Sequence, residues 1–568
     1  MESLGEFARW IAENEALLSG LASLVVLVGL VLSPFGTGIR RLFARTEPKA
    51  PSGPSTESET ASRAPDSFDP VLAVLAFDNL SSDPEMQFFS DGISEEIIQR
   101  LSRGAKLKVI GRASSFQFRG ERKAEAARAL DCTHVLDGSV RRSGNDVRIS
   151  PNLAETGSQT TLWSERYDRK LDDVFAVQDE IADSIAGALD RTFASFSTEA
   201  VDPEVYDLYL RARPSSYAPD ELQASIGPLE EATRRAPVFT EAWGRLAFVR
   251  AWWHFYQPFA DRPAIAAKVN EEAGHALAAD PHEPFALMAK AFVAPPFGHF
   301  LEADEPMDRL RASPGADPVR GYVGWYLRTT GHVRQSLEEA ERAYRLDALD
   351  SMVANLLALA RMAAGRVDEA VPVFEDLAER APGMSFPVAN LLRAHAFRED
   401  WEAVDRVLDL AAKRDLREFE AGLPFIETKR NPTDANLDAW RSRVEADVAS
   451  AGCIDLSQLV YTAHLGLVDE AYRAADAAWL GPTGNGDDVM GPDGYRTSLM
   501  FQHGMPELRR DARFPRLCAR LGLVEFWTTT GKWPDCADEL PYDFRSECAR
   551  VQDVAKDEPG ARVGRAAE

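Results

Sequence analysis

The segments Gly331-His-Val-Arg-Gln-Ser-Leu-Glu-Glu-Ala340 and Gly365-Arg-Val-Asp-Glu-Ala370 share a pattern and begin 34 residues apart. A second marker keeps almost the same step, because the residue that ends each predicted helix pair recurs at Pro281, Pro314, Ala348 and Pro382. A fixed period of this length is typical of stacked helix pairs. Such a repeat buries its apolar face only against its neighbours and leaves a long concave surface, which favours binding over catalysis.

The step of 34 residues is that of the tetratricopeptide (TPR) repeat, so we predict an all-α TPR superhelix over residues 203–480. In such an array the first helix of each pair lines the concave surface. With Gly331 and Gly365 placed at the turns within pairs, the residues predicted to contact a protein partner are Trp325, Arg328, Asn355, Leu359, Met362 and Arg393. They mix polar and large apolar groups, which suits a groove for an extended peptide.

Composition limits the partner class. The chain has 568 residues, too many for one compact domain, and a net charge of −26 from 64 basic and 90 acidic residues. Phosphate binding needs a positive surface, so nucleic acid is not expected as a partner. Residues 100–148 depart from this trend, with twelve basic and five acidic side chains. A solvated face of a domain and attraction to an anionic membrane both explain that stretch.

The N-terminal region has the character of a membrane anchor. No charge occurs between Glu15 and Arg40, and residues 16–35 supply the roughly 20 apolar residues that a transmembrane helix needs. The acidic tail 1–15 and the lack of a cleavage site argue against a signal peptide. Basic residues follow the span at Arg40, Arg41, Arg45 and Lys49. They predict that the rest of the chain is cytoplasmic, with a periplasmic orientation as the alternative.

A basic flank and disordered linker are predicted at 36–67, because Pro, Ser, Thr, Glu and Ala dominate there. Strands and helices then alternate, which predicts a compact α/β domain over residues 68–195. Asp83 and Pro84 predict the start of its first helix, and Ala124–Leu130 a second. Strands are predicted at Val71–Phe77, Leu107–Ile110, Thr133–Arg141, Val147–Ala154 and Thr161–Tyr167.

This domain resembles the amino-terminal domain of TolB and the FlgO family, through Val74–Leu80, Phe89–Ile97, Val135–Arg142, Leu162–Arg169 and Phe175–Ile181. The C-terminal segments Arg520–Trp527, Trp533–Cys536 and Leu540–Asp543 are similar to the tails of bacterial signalling proteins in which this domain precedes TPR repeats. The resemblance implies a bacterial signalling protein. In relatives the domain often follows a nucleotide cyclase or winged-helix domain, but only about 70 residues precede it here. An enzyme is therefore not expected.

The sequence predicts no catalytic residue, cofactor or metal. Its glycines lack phosphate-loop spacing, its nine histidines lack an H-E-x-x-H pattern, and the acids of 481–488 lack calcium-loop spacing. A helical cap is predicted at 481–555 and a disordered tail at 556–568. Five cysteines are an odd, sparse set. Cys536 and Cys548 are spaced for pairing, but a cytoplasmic location predicts free thiols.

The fold class is therefore an α/β domain plus an all-α TPR superhelix with one N-terminal transmembrane helix. The predicted function is a scaffold of the bacterial inner membrane that recruits a protein partner through the concave surface of its repeats. The alternative is an envelope or signalling sensor, in which the α/β domain binds a small ligand and the repeats relay the signal.

Overall fold

The computed structural model describes residues 70–104, 107–189, 201–214, 218–258, 261–294, 300–313, 316, 319–382, 385–414, 416, 422–451, 453–480 and 497–557. The predicted tail 1–15, membrane helix 16–35 and linker 36–67 lie outside these ranges. Among the helices that are described, none combines the length and apolar character needed to span a membrane.

A mixed sheet of seven strands forms the centre of the α/β domain as described. Its strands are β1 Val71–Val74, β2 Asp78–Asn79, β3 Lys108–Val109, β4 His134–Ser143, β5 Asp146–Glu155, β6 Thr160–Ser164 and β7 Tyr167–Lys170. The order is β3-β1-β4-β5-β6, with β2 also beside β4 and β7 also beside β5. Strands β1, β2, β3 and β4 pair in parallel, whereas β5 runs antiparallel to β4, β6 and β7.

The strands predicted at Thr133–Arg141 and Val147–Ala154 are confirmed as β4 and β5, and they form a hairpin that pairs from His134 with Glu155 to Ser143 with Asp146. Two other strands differ from prediction. The strand predicted at Thr161–Tyr167 is divided into β6 and β7, and β5 shifts register where it pairs with β6. Strand β1 ends at Val74 and not at Phe77. The Leu75 amide still donates to Leu136 O of β4 at 2.9 Å, but the Phe77 amide donates to the Ser94 hydroxyl, at 2.9 Å, instead of to a neighbouring strand.

Helices cover the sheet, and they are α1 Gln87–Gly104, α2 Arg112–Ser115, α3 Ala126–Ala129 and α4 Val174–Ala188. The predicted start of the first helix is confirmed, since the Asp83 carboxylate accepts from the Glu85 amide and Pro84 opens a 3-10 turn that leads into α1. Ile93, Ile97 and Leu101 are fully buried. Their spacing of four residues places them on one face of α1.

Sixteen helices follow in eight consecutive pairs within the described ranges. They are α5 Pro203–Arg211 with α6 Pro219–Arg235, α7 Thr240–His254 with α8 Arg262–Ala279, α9 Pro284–Val293 with α10 Phe300–Ala312, α11 Arg320–Thr329 with α12 Val333–Leu346, α13 Ser351–Ala363 with α14 Val367–Arg380, α15 Ser385–Phe397 with α16 Trp401–Lys413, α17 Leu423–Arg430 with α18 Asp434–Ala451, and α19 Leu456–His464 with α20 Val468–Ala477. The predicted helical-repeat architecture is confirmed.

The turns within pairs explain both the visible repeat and a hidden one. Gly331, Gly365 and Gly466 adopt φ values of 89°, 80° and 84°, which glycine tolerates best. Glu399 stands 34 residues after Gly365 and has a φ of 57°. The Asp400 amide then donates to the carbonyl five residues earlier, at 3.0 Å, as the residues after Gly331 and Gly365 do. The third turn therefore has the same geometry without the glycine.

A C-terminal cap packs across one edge of the array. It consists of α21 Thr497–Met500, α22 Glu507–Arg510, α23 Phe514–Arg520, α24 Leu523–Thr530 and α25 Phe544–Asp557. The Thr497 hydroxyl donates to Thr329 O at 2.8 Å, and the His503 amide donates to Ala363 O at 2.9 Å. The cap thereby covers the turns of the α11–α12 and α13–α14 pairs.

The α/β domain and the repeats share one core. The Phe175 ring of α4 lies 4.9 Å from Tyr206 and 5.6 Å from Phe239. Gly92 of α1 meets Leu210 of α5 so closely that a Cβ at Gly92 would lie 2.6 Å from the leucine side chain. The described residues from 70 onward therefore belong to one compact unit, not to independent modules.

Candidate functional site

The predicted partner-binding residues lie on the first helices of three consecutive pairs. Trp325 and Arg328 are on α11, three residues are on α13, and Arg393 is on α15. Trp325 is partly buried and packs against Phe292, with 5.4 Å between ring centroids. The other five are at most 9% exposed: Arg328, Asn355, Leu359, Met362 and Arg393. Their role as partner contacts stays a prediction.

Neighbouring first helices explain part of this burial. The Asn390 amide donates to Asn355 Oδ1 at 3.1 Å, and Arg393 donates to Asn390 Oδ1 at 2.8 Å. Helices α13 and α15 are thus joined by a chain of polar side chains. The sequence pattern identifies the first helix of each pair. It does not show how far the side chains of these helices are buried by the adjacent helices. Trp325 is the member of the set that retains partly exposed surface.

A cavity of about 160 Å³ lies where the α/β domain meets the repeats. We call it the seam cavity. It is lined from the α/β domain by α1 and α2, and from the repeats by α7, α9, the start of α13 and residues near 213. Its apolar lining includes Ile98, Phe248, Phe285 and Val353. Because both parts of the chain contribute walls, a change in the seam cavity would affect how they dock.

Three arginines converge on one carboxylate beside the seam cavity. Glu95 of α1 lies 3.0 Å from Arg112 Nε, 2.8 Å from Arg213 Nη1 and 3.3 Å from Arg245 Nη2. Burial alone would raise the pKa of Glu95, but the three guanidinium groups outweigh it and lower that pKa to about 2. Glu95 is therefore ionised at neutral pH.

The neighbouring acid, Glu96, belongs to the same cluster. It pairs with Arg213 and accepts a hydrogen bond from the Tyr209 hydroxyl at 3.1 Å. The Arg213 guanidinium also lies over the Tyr209 ring, 4.8 Å from its centroid. We define the arginine cluster as Glu95, Glu96, Arg112, Arg213 and Arg245. It joins α1 to the first two helix pairs.

Backbone contacts fix the opposite side of the seam cavity. The Ser114 amide donates to Asp347 Oδ1 at 2.7 Å, and the Gly111 amide donates to Leu346 O at 2.6 Å. The Leu349 amide donates to the Ser114 hydroxyl at 2.9 Å. Burial, with repulsion from Asp350, raises the pKa of Asp347 to about 7. Short helix α2 is thus held against the turn between α12 and α13.

A second cavity, of about 350 Å³, lies between the α10–α12 region and the cap. Lys532 reaches both carboxylate oxygens of Asp304 at 2.8 Å and Asp308 at 2.7 Å. The Tyr326 hydroxyl donates to Asp304 Oδ1 at 3.2 Å. Phe526 and Trp533 supply apolar lining. The polar groups of this cavity therefore already pair with one another.

Buried Glu283 gives a prediction about pH. It is 3% exposed and accepts from the Ala286 amide at 2.6 Å, and burial raises its pKa to about 7. Between about pH 4.3, its ordinary pKa, and pH 7 the folded state holds a proton that the unfolded state releases, so its contribution to stability falls as pH rises. We expect the free energy of unfolding of Glu283→Gln to exceed that of wild type by an amount on the order of 2 kcal/mol at pH 8. At pH 4.5 the two free energies should be nearly equal, because the wild-type carboxyl group is then protonated in the folded state.

Urea unfolding at the two pH values measures this difference. The matched control is Glu204→Gln, whose side chain is 79% exposed, and it should change neither value appreciably. Equal free energies of unfolding for Glu283→Gln and wild type at pH 8 would show that burying the ionised Glu283 carboxylate does not destabilise the fold.

The part of the chain that is described holds no cluster of three or more histidine, cysteine or acidic side chains suited to a metal ion. Cys518, Cys536 and Cys548 are buried free thiols of the cap, and Cys132 is a buried free thiol of the α/β domain. Burial raises the pKa of Cys536 to about 11 and that of Cys548 to about 12. These thiols are consequently poor nucleophiles at neutral pH.

No family model matches the chain. A curated relative, "Putative adenylate cyclase 3" of Rhizobium meliloti (strain 1021), is 45% identical over 152 residues, which are 25% of this chain and 26% of the relative. The chain thus spans about a quarter of the length of that relative. The resemblance to the TolB amino-terminal domain and to FlgO stays a prediction.

Solved structures give weaker similarities. The TPR protein YrrB, with an unusual peptide-binding site, is 18% identical, with a TM-score of 0.25 over 33% of this chain and 91% of its own. The TPR protein TTC0263 of Thermus thermophilus is 15% identical, with a TM-score of 0.25 over 37% and 99%. Human IFIT1, a dimer with PPP-AAAA, is 13% identical, with a TM-score of 0.33 over 53% and 77%. The eight consecutive helix pairs of the described residues themselves define the repeat architecture.

One prediction is corrected by these comparisons. The length of chain before the α/β domain predicts a protein that is not an enzyme, whereas the relative with 45% identity carries the name "Putative adenylate cyclase 3". The expectation rested on the length of chain before the α/β domain, which says nothing about the residues that the two proteins share. The prediction that the chain is not an enzyme is therefore withdrawn.

Proposed function

We propose that this chain is a membrane-anchored scaffold that recruits a protein partner through the first helices of its middle pairs, α11, α13 and α15. The observation that supports it most is the regular succession of turns at Gly331, Gly365 and Glu399, which stacks these helices side by side. Stacked helix pairs present an extended binding surface. The first pairs already contact the α/β domain through the arginine cluster, so they are less suited to a second protein.

Trp325 is the residue to test, because it combines partial exposure with a large apolar surface. We expect Trp325→Ala to lose the partner, since truncating an interface tryptophan typically costs roughly 2 kcal/mol or more. The measurement is affinity purification of the tagged full chain from membranes, followed by mass spectrometry. The matched control is Trp401→Ala, a partly buried tryptophan on the second helix α16. Identical partner sets for both variants and wild type, with unchanged melting temperatures, would exclude this surface.

Membrane anchoring through residues 16–35, with the remainder of the chain in the cytoplasm, is part of the proposal. Its basis is the uncharged run and the basic residues that follow it. A C-terminal alkaline phosphatase fusion should be inactive, because this enzyme folds only in an oxidising compartment. A fluorescent-protein fusion at the same site should fluoresce. High phosphatase activity would place the domains in the periplasm instead.

The curated relative favours a second candidate function, adenylate cyclase activity. The test is incubation of the purified full chain with ATP and Mg²⁺ or Mn²⁺, with detection of cyclic AMP against a heat-denatured sample. Formation of cyclic AMP in proportion to enzyme concentration would support this function. Its absence with both metals would leave the shared segment with a role other than catalysis.

A further inference from the structure

The arginine cluster contains more donors than its own acids can satisfy. Each guanidinium group carries five N–H donors, and three of these groups surround Glu95 and Glu96. The side chains of Arg213 and Arg245 are 6% and 10% exposed, and the Nε atom of each is shielded from water without a hydrogen-bond acceptor. A buried donor left without an acceptor destabilises the folded state, because it loses its hydrogen bonds to water and gains none in return. The wall of the seam cavity formed by these arginines therefore lacks an acceptor.

The charge balance on this wall is also incomplete. Three guanidinium groups face two carboxylates, so one positive charge has no partner within the arginine cluster. The acids of the opposite wall accept backbone hydrogen bonds, Asp347 from the Ser114 amide and Asp350 from the Met352 and Val353 amides, and the partly exposed Arg112 also acts on Asp350. Among the described acids, the buried arginines Arg213 and Arg245 share only Glu95 and Glu96. Burial raises the pKa of both carboxyl groups above its ordinary value. An anion fits this arrangement better than a cation.

Size and lining define the rest of the ligand. A cavity of about 160 Å³ has room for a body of roughly benzene size. Phe248 and Phe285 line it as an aromatic pair, with the Arg245 guanidinium over the Phe285 ring, 4.1 Å from its centroid, and Ile98 and Val353 add aliphatic surface. Inorganic phosphate would leave this apolar lining uncovered. We propose that the seam cavity binds a small organic carboxylate, with its charged group at Arg213 and Arg245 and its apolar body against Phe248 and Phe285.

Such a ligand would contact both halves of the compact unit. Its carboxylate would bridge arginines of the repeats that already hold Glu95 of α1. Its body would fill space between α1 and helices α7 and α9. Because a ligand that binds only the folded state stabilises it by mass action, binding should tighten the docking of the α/β domain. This inference does not depend on recruitment of a protein partner.

Benzoate is the probe, applied to the purified full chain and followed by isothermal titration calorimetry and thermal unfolding. We expect saturable binding with a rise in melting temperature that grows with benzoate concentration. Benzamide, which has the same shape without the charge, should bind at least about tenfold more weakly, because it cannot form charge-assisted hydrogen bonds with the arginines. Failure of benzoate to saturate, or equal binding of both probes, would overturn the proposal.

Two variants change the site by independent means. Arg245→Met keeps the apolar stem and removes the charge, and Val353→Phe keeps every arginine and fills the cavity. Each should weaken benzoate binding at least about tenfold, while the exposed Arg430→Met, which breaks a pair with Asp405, should not. Circular dichroism verifies that each variant is folded. Unchanged benzoate affinity in a folded Val353→Phe or Arg245→Met protein would show that benzoate binds elsewhere.

Discussion

Replacing Arg213 by alanine is expected to lower the free energy of unfolding by about 3–5 kcal/mol, as removal of one partner from a buried ion pair typically does. Arg213 pairs with both Glu95 and Glu96, and its guanidinium lies over the Tyr209 ring. Without Arg213, Glu96 still accepts a hydrogen bond from the neutral Tyr209 hydroxyl. No other arginine of the arginine cluster pairs with Glu96. Two buried carboxylates then share fewer positive charges.

Urea unfolding followed by circular dichroism measures this loss, with Arg235→Ala as the control. Arg235 also faces two acids, Asp202 and Glu204, but all three side chains are well exposed. Exposed ion pairs contribute about 0–1 kcal/mol, so the control should unfold close to wild type. Similar small losses in both variants would mean that the arginine cluster does not stabilise the docking of α1.

The same cluster gives stability a defined dependence on acid. The pKa of Glu95 is about 2 in the folded state, below its ordinary value of about 4.3. A lowered folded pKa contributes stability that is fully present above the unfolded pKa and is lost as pH falls through the window from about 4.3 to 2. We expect wild type to lose on the order of 2 kcal/mol from this group across that window, and Arg213→Ala to lose less.

Local features of the fold are predictable because the residues that determine them are close in sequence. The hairpin turn between Ser143 and Asp146 and the Asp83 cap depend on a few adjacent residues. The repeat turns at Gly331 and Gly365 are equally local, since positive φ selects glycine. Glu399 shows the limit of this argument. It adopts the same conformation through its position in the array, so a search for glycine does not find it.

The candidate site depends on contacts that no local pattern specifies. Glu95 and Arg245 are separated by 150 residues, and Ser114 and Asp347 by 233. One signal was present in the sequence, because Glu95 and Glu96 stand between Ile93 and Ile97 on a helix with a strongly apolar face. Adjacent acids on such a helix need a cationic partner if they are buried. The identity of that partner required the structure.

The burial of the predicted partner contacts has a similar cause. Sequence spacing places Asn355 and Arg393 on inner helices, but their exposure depends on Asn390, which bonds to both side chains. The cap also contacts the end of α13. His503, which follows the predicted repeats in the sequence, donates its backbone amide to Ala363 O. The exposure of Asn355 and Arg393 therefore depends on side chains packed against them, which their spacing in the sequence does not reveal. Trp325 remains the informative residue of the set.

Trp527→Ala is expected to lower the free energy of unfolding by about 3–5 kcal/mol, the usual cost of removing a buried tryptophan. Trp527 is fully buried in the cap. Its ring lies 5.5 Å from Phe544 and 6.1 Å from Phe501, and its Nε1 donates to Thr330 O at 3.0 Å. The substitution removes the apolar contacts and leaves the Thr330 carbonyl without this donor. Thermal and urea unfolding of the full chain measure the loss.

Trp527→Phe separates the two contributions, because it keeps most of the ring and removes the donor. We expect a loss of about 1–3 kcal/mol from the unsatisfied carbonyl, clearly smaller than for alanine. The control is Trp243→Phe, whose indole donates to Pro237 O at an exposed position and stacks on His275. Water replaces that hydrogen bond, so the control should lose less than about 1 kcal/mol. If Trp527→Ala and wild type unfold at the same midpoint urea concentration, the cap unfolds independently of the repeats. The turn at Gly331 would then be stable without the cap.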